Sequence, residues 1–118
     1  MQAYRLIPKI LEVDGFVRSP KPCRVVEVHP EVSLASMDPA SVVLSKRTAE
    51  GLRARRKALR AAGVTPPAYR ARQGYAADDL VDACAAAWSA RRVASGTAES
   101  LPEPPERFSD GLPASIHV

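Results

Sequence analysis

Three carboxylates have the types and spacing for metal-assisted phosphodiester chemistry. Glu27 interrupts the valine-rich run Arg24-Val-Val-Glu-Val-His-Pro30, and Asp79 and Asp82 stand three apart in Ala77-Asp78-Asp79-Leu-Val-Asp82-Ala83. A carboxylate in a strand covered on both faces is costly unless it is paired or bound to a metal. Two aspartates at i and i+3 share a helix face and repel, and a divalent cation relieves that repulsion. A strand Glu with a helical Asp-x-x-Asp therefore suits Mg²⁺, a hard ion that keeps waters which a phosphodiester can displace. Two such ions about 4 Å apart would position an attacking water and stabilise the leaving oxygen. Each acid also has a plainer explanation. Glu27 faces solvent if its strand is covered on one side only. Asp78 and Asp79 suit the positive end of a helix dipole, an effect that fades before Asp82.

A second kind of chemistry is electrostatic. Between Lys46 and Arg72 lie nine basic residues, opposed by Glu50 alone, so this stretch carries about +8 and the rest of the chain about −4. Such a run would hold phosphates by charge, with affinity falling steeply in salt. The alternative is a solvated, arginine-rich helix in a chain that uses thirteen Arg to four Lys.

The elements that must position these groups are mostly helices. Ala3 to Val17 has apolar residues at roughly helical spacing, interrupted by Pro8, where a helix starts or kinks. Ser19-Pro-Lys-Pro is a turn. The segment Arg24–His29 predicts a short strand, with Val26 and Val28 on one face and Val25, Glu27 and His29 on the other. Pro30 to Met37 predicts a short helix closed by Asp38-Pro39. Thr48 to Ala62 is the clearest helix, with Thr48 as N-cap and Gly63 at its stop. Leu52, Ala58, Leu59 and Ala62 line one side of it; Arg53, Arg56, Lys57 and Arg60 line another. Asp78 to Ala94 is the last helix, ended by Gly96. Its face through Asp79, Asp82, Ala83, Ala86 and Ala90 would press the two acids against the sheet. Residues 97–113, rich in Pro and Glu, predict an extended loop, and Ala114–Val118 a short edge strand.

Composition bounds the core. The chain has 118 residues and a net charge of +4, with 46 % hydrophobic and 5 % aromatic residues. Twenty of the hydrophobics are alanine and only twenty-four are Ile, Leu or Val. A buried methylene contributes roughly 0.8 kcal/mol, so alanine adds little and the core is thin for one free-standing domain. One strand cannot make a sheet, so partners for Arg24–His29 must come from elsewhere. Cys23 and Cys84 fit neither a zinc knuckle nor a redox pair and read as reduced, unpaired thiols. No apolar run is long enough to span a membrane and no signal-peptide pattern opens the chain, which reads as cytoplasmic.

Four stretches then carry a resemblance. Glu27-Val-His-Pro-Glu31, Ser45-Lys46-Arg47-Thr48-Ala-Glu-Gly51, Ala77-Asp78-Asp79-Leu-Val-Asp82-Ala83 and Ala90-Arg91-Arg92 occur in order, closed by Gly111-Leu-Pro. In that order and spacing they resemble the predicted ribonuclease-H-like nucleases of domain-of-unknown-function family 429. Ile7-Pro8-Lys9-Ile10-Leu-Glu12-Val13-Asp14 fits that family's middle helix. The likeness spans nearly the whole chain, and Glu-Val-His-Pro-Glu is its most specific element. Asp-x-x-Asp-Ala is similar to the last helix of Holliday-junction resolvases, which share the ribonuclease-H fold.

The resemblance implies catalytic and metal-binding roles for Glu27, Asp79 and Asp82, with Mg²⁺ or Mn²⁺ as cofactor and nucleic acid as partner. It places Lys46, Arg47 and Arg55 near the phosphate, and His29 and Glu31 as accessory residues. It also shows departures. Leu52 stands where a basic residue is expected after Gly51. The family opens with strands bearing further aspartates, and this chain starts at the family's middle. The expectation is an α/β ribonuclease-H-like fragment, mostly helical, with one central strand, a short C-terminal strand and the N-terminal strands absent. Such a fragment would arise from a truncated gene, a misplaced start or a split protein. It would bind nucleic acid or complete its sheet with a second copy or a missing N-terminal half, and would not cut unaided.

Overall fold

The computed structural model describes residues 2–71 and 74–118. Arg72, at the end of the basic run, lies outside the described residues. The order is α1 (Gln2–Arg18), α2 (Pro30–Met37), a 3-10 turn (Pro39–Val42), α3 (Ala49–Ala61), α4 (Ala77–Ser95), β1 (Ser100–Arg107) and β2 (Pro113–His117). The fold is α/β and mostly helical, with a two-stranded antiparallel sheet.

Helices α2, α3 and α4 form the core, where Leu34, Leu59, Val81 and Ala85 are buried together and Met37, Leu52, Val64 and Cys84 pack around them. Burial of each large aliphatic contributes roughly 1.5–3 kcal/mol. Serines fill the remaining space. Ser33 and Ser89 share a hydroxyl–hydroxyl hydrogen bond of 2.8 Å between α2 and α4, and Ser41 Oγ donates to Leu34 O at 3.2 Å. These bonds satisfy the hydroxyls that close helix approach buries. Trp88 is 9 % exposed and Arg92 lies over its ring, 4.8 Å from the centroid.

Local signals set the helix ends. Thr48 Oγ1 accepts the Gly51 N–H at 3.0 Å, which satisfies one of the free donors that open α3. Beyond its end, Gly63 takes φ +80°, a conformation that favours glycine. Asp79 Oδ2 accepts the Ala76 N–H at 2.7 Å at the start of α4, and Gly96 closes it at φ 72°.

Three expectations are corrected. Arg24–His29 does not form a regular strand; it is extended, with a single parallel bridge from Glu27 to Ile116. The expected alternation holds: Val26 and Val28 are half-buried, while Val25, Glu27 and His29 are exposed. Within 97–113, Ser100–Arg107 is a strand rather than loop. Its three prolines sit where the β1–β2 register shifts, between Leu101 and Glu106, so they remove no regular ladder bond. The third correction concerns α4. It buries Val81, Ala85, Trp88 and Ser89, and leaves Asp79, Ala83 and Ala90 exposed. The largest apolar side chains decide which face turns inward, and the alanines do not.

α1 stands apart from this core. It runs through Pro8 as one helix, and Ile10 and Leu11 are 60 % and 65 % exposed. Arg18, at its end, pairs with Asp14 one turn back and with Asp110 in the β1–β2 turn.

Candidate functional site

The basic run divides into an outer stripe and an inner cluster. On α3, Arg53, Arg56, Lys57 and Arg60 follow at i, i+3, i+4 and i+7, and so share one side of the helix. Arg53, Lys57 and Arg60 are exposed and Arg56 half-buried, its guanidinium donating to Pro67 O at 2.9 Å. Arg91 of α4 reaches the same end of α3 and donates to Ala62 O at 3.1 Å. Glu50, in the first turn of α3, pairs with Arg53 at 2.9 Å. Arg47 and Arg70 are exposed nearby in sequence.

The inner cluster joins α2, the turn before α3, α3 and α4. Arg55 is buried, its side chain only 3 % exposed. Its Nε and Nη2 donate to the two carboxylate oxygens of Glu31 at 3.2 and 2.8 Å, a bidentate pair. Its Nη1 donates to Leu44 O at 2.8 Å and Gly51 O at 3.2 Å. Lys46 Nζ donates to Asp82 Oδ2 at 2.7 Å and lies 3.9 Å from Asp78 Oδ2. The hydrogen bond to Asp82 holds the Lys46 ammonium above its ordinary pKa, with the charges of Asp82, Asp78 and Glu31 helping and burial opposing. Asp82 Oδ1 is buried and has no hydrogen-bond partner.

Of the residues expected to act together, the fold joins some and separates others. Lys46 and Asp82 meet, as do Glu31 and Arg55. Arg55 is not placed for phosphate, because it is buried and four of its five N–H donors are spent on Glu31 and two carbonyls. Arg47 remains exposed. Asp79 caps α4 from an exposed position. His29 sits at the N-cap position of α2, with no side-chain capping bond. Glu27 is exposed and lines a groove of about 850 Å³ with Leu6, Ile10 and Val13 of α1 and Leu112 before β2. The groove and the bidentate Glu31–Arg55 pair were not anticipated from the sequence. A glutamate in a Pro-Glu helix start gives no sign of its partner 24 residues on.

The donors do not fit a divalent metal as placed. One oxygen of Asp82 carries an ammonium, an oxygen of Asp79 carries a backbone N–H, and Glu27 lies in the groove. Among the described residues, no group of three or more His, Cys, Asp or Glu side chains is placed to hold a metal ion. Nor does any helix there have the length and apolar character to cross a membrane.

Residues 1–107 match the model of a family described as "Protein of unknown function (DUF429)". The chain belongs to the DUF429 family. No curated protein and no solved structure matches it. The DUF429 match takes in α1 to β1, and so covers the α3 stripe, the Lys46–Asp82 contact and Glu27.

Proposed function

We propose that this DUF429 chain binds nucleic acid through the outer face of α3, as the phosphate-holding part of a ribonuclease-H-like nuclease fold, and does not cleave unaided. The observation that carries this reading is the stripe of Arg53, Arg56, Lys57 and Arg60 on the solvent side of a helix whose other side is core. Seven residues of helix rise about 10 Å. That length lets neighbouring cations engage successive phosphates, while Leu59 and Ala58 anchor the helix from behind. The nuclease part of the reading rests on the family likeness in Glu27-Val-His-Pro-Glu31 and Asp79-Leu-Val-Asp82. It draws nothing from a bound metal.

Binding is read by fluorescence anisotropy of labelled single- and double-stranded DNA and RNA across a salt series. The expected result is measurable affinity that falls linearly on a log–log plot with salt. Affinity unchanged in the Lys57→Gln/Arg60→Gln double variant would refute the placement on α3. Incubation with Mg²⁺ or Mn²⁺ is expected to leave the oligonucleotides intact. Cleavage lost in Asp82→Asn would overturn the non-cleaving part.

The groove beneath α1 favours a second reading, interaction with another chain. Leu6, Ile10, Val13 and Val17 line one wall and the extended segment 24–27 the other, and that segment makes only one bridge. An incoming strand would pair there by main-chain hydrogen bonds.

A further inference from the structure

We infer that Lys46 is a resident cation: its ammonium holds the place between Asp78 and Asp82 that a divalent ion would otherwise take, and makes this corner of the molecule independent of metal. The inference goes beyond nucleic-acid binding and concerns the opposite side of α3.

Geometry supports it first. Nζ lies 2.7 Å from Asp82 Oδ2 and 3.9 Å from Asp78 Oδ2, two carboxylates one helical turn apart. One ammonium thus faces both acids of an i, i+4 pair, which would otherwise repel.

The second support is the way the turn carrying Lys46 is fixed. Leu44 O accepts from Arg55 Nη1 at 2.8 Å. Ser45 O accepts from the Thr48 N–H at 3.0 Å and from Thr48 Oγ1 at 2.8 Å. Gly51 lies so close that a Cβ there would collide with Ser45 O. The residues on the N-terminal side of Lys46 are therefore held, and its side chain starts from a set position beside α4.

Charge supplies the third support. Glu31, Asp78 and Asp82 face Lys46, and Arg55 is the other base in the cluster. Glu31 is committed to Arg55 through both oxygens. Lys46 is then the cation that answers Asp78 and Asp82, and Asp82 Oδ1 is still unbonded. Without Lys46 two carboxylates would face each other unanswered. A hard divalent ion held by one or two carboxylates and its own waters is the chemistry that relieves this.

The test is thermal melting of the full chain with and without Mn²⁺, alongside electron paramagnetic resonance of the Mn²⁺ itself. The wild-type chain is expected to melt at one temperature regardless of Mn²⁺ and to leave its resonance that of the free ion. Lys46→Met is expected to melt lower without metal and to recover about 4–8 °C in saturating Mn²⁺. Lys46→Met/Asp82→Asn is expected to lose that response. If Lys46→Met does not fold alone, a cooperative melt regained in Mn²⁺ supports the inference equally. Metal-indifferent behaviour of Lys46→Met, folded or not, would overturn it. So would Mn²⁺ binding by the wild-type chain that disappears in Asp82→Asn.

Discussion

Arg55 and Lys46 come from the same positive run and are set to different work. Arg55 is buried against Glu31 and two carbonyls. Removing Glu31 would leave a buried guanidinium short of its counter-charge. Glu31→Ala is therefore expected to cost about 3 kcal/mol in urea unfolding. Glu50→Ala, which breaks a well-exposed pair with Arg53, should cost under about 1 kcal/mol. The contribution of Lys46 depends on pH. Its ammonium is held above the ordinary value of 10.5 by Asp82. In the unfolded chain it titrates near that ordinary value. The stabilisation it gives is thus complete below about pH 10.5 and is lost as pH rises through the higher folded value. The stability gap between wild type and Lys46→Met should stay level from neutral pH to about pH 9 and narrow at higher pH. A gap that stays level there would show that Lys46 acts by packing instead.

At the scale of elements, α3 has a basic outer face and a packed inner one. The Lys57→Gln/Arg60→Gln change touches only the outer one. It should lower the slope of log affinity against log salt by about 1.5 and leave the melting temperature in place. Gly51→Ala touches the inner one, where the new Cβ would collide with the Ser45 carbonyl. It should destabilise by about 2 kcal/mol or more, measured by the same unfolding experiment. Both faces of α3 were legible in the sequence, since Leu52, Ala58 and Leu59 alternate with basic residues at helical spacing. The ends of α2, α3 and α4 were legible as well, because Asp38, Thr48, Gly63 and Gly96 do specific backbone work there. The inward face of α4 was harder to read. Alanine lies on most of its sides, so its pattern has no strong direction. Val81, Ala85 and Trp88 carried the true signal, at i, i+4 and i+7. β1 was obscured by three prolines that a register shift accommodates. The candidate site was legible as a list of charges. Its pairings were not, because 36 residues separate Lys46 from Asp82 and only packing of α4 on α3 brings them together.

For the whole molecule, the division is between a three-helix core and an α1 that shares little of it. Tyr4, Ile7 and Leu11 on α1 are exposed, and so is Phe16. A helix apolar on more than one side usually lies covered. Leu11→Lys is therefore expected to keep the melting temperature within about 2 °C and to reduce self-association in analytical ultracentrifugation. A large fall in melting temperature would mean that α1 contributes to the core after all. The same division has an optical consequence. The chain has one tryptophan. Trp88 is buried on the same side of α4 as Val81 and Ala85, shielded from water and capped by Arg92. Its emission therefore reports the covering of α4, whereas far-ultraviolet dichroism sums every helix. A dichroism signal that fades ahead of the tryptophan red shift would time the melting of α1 separately from the rest.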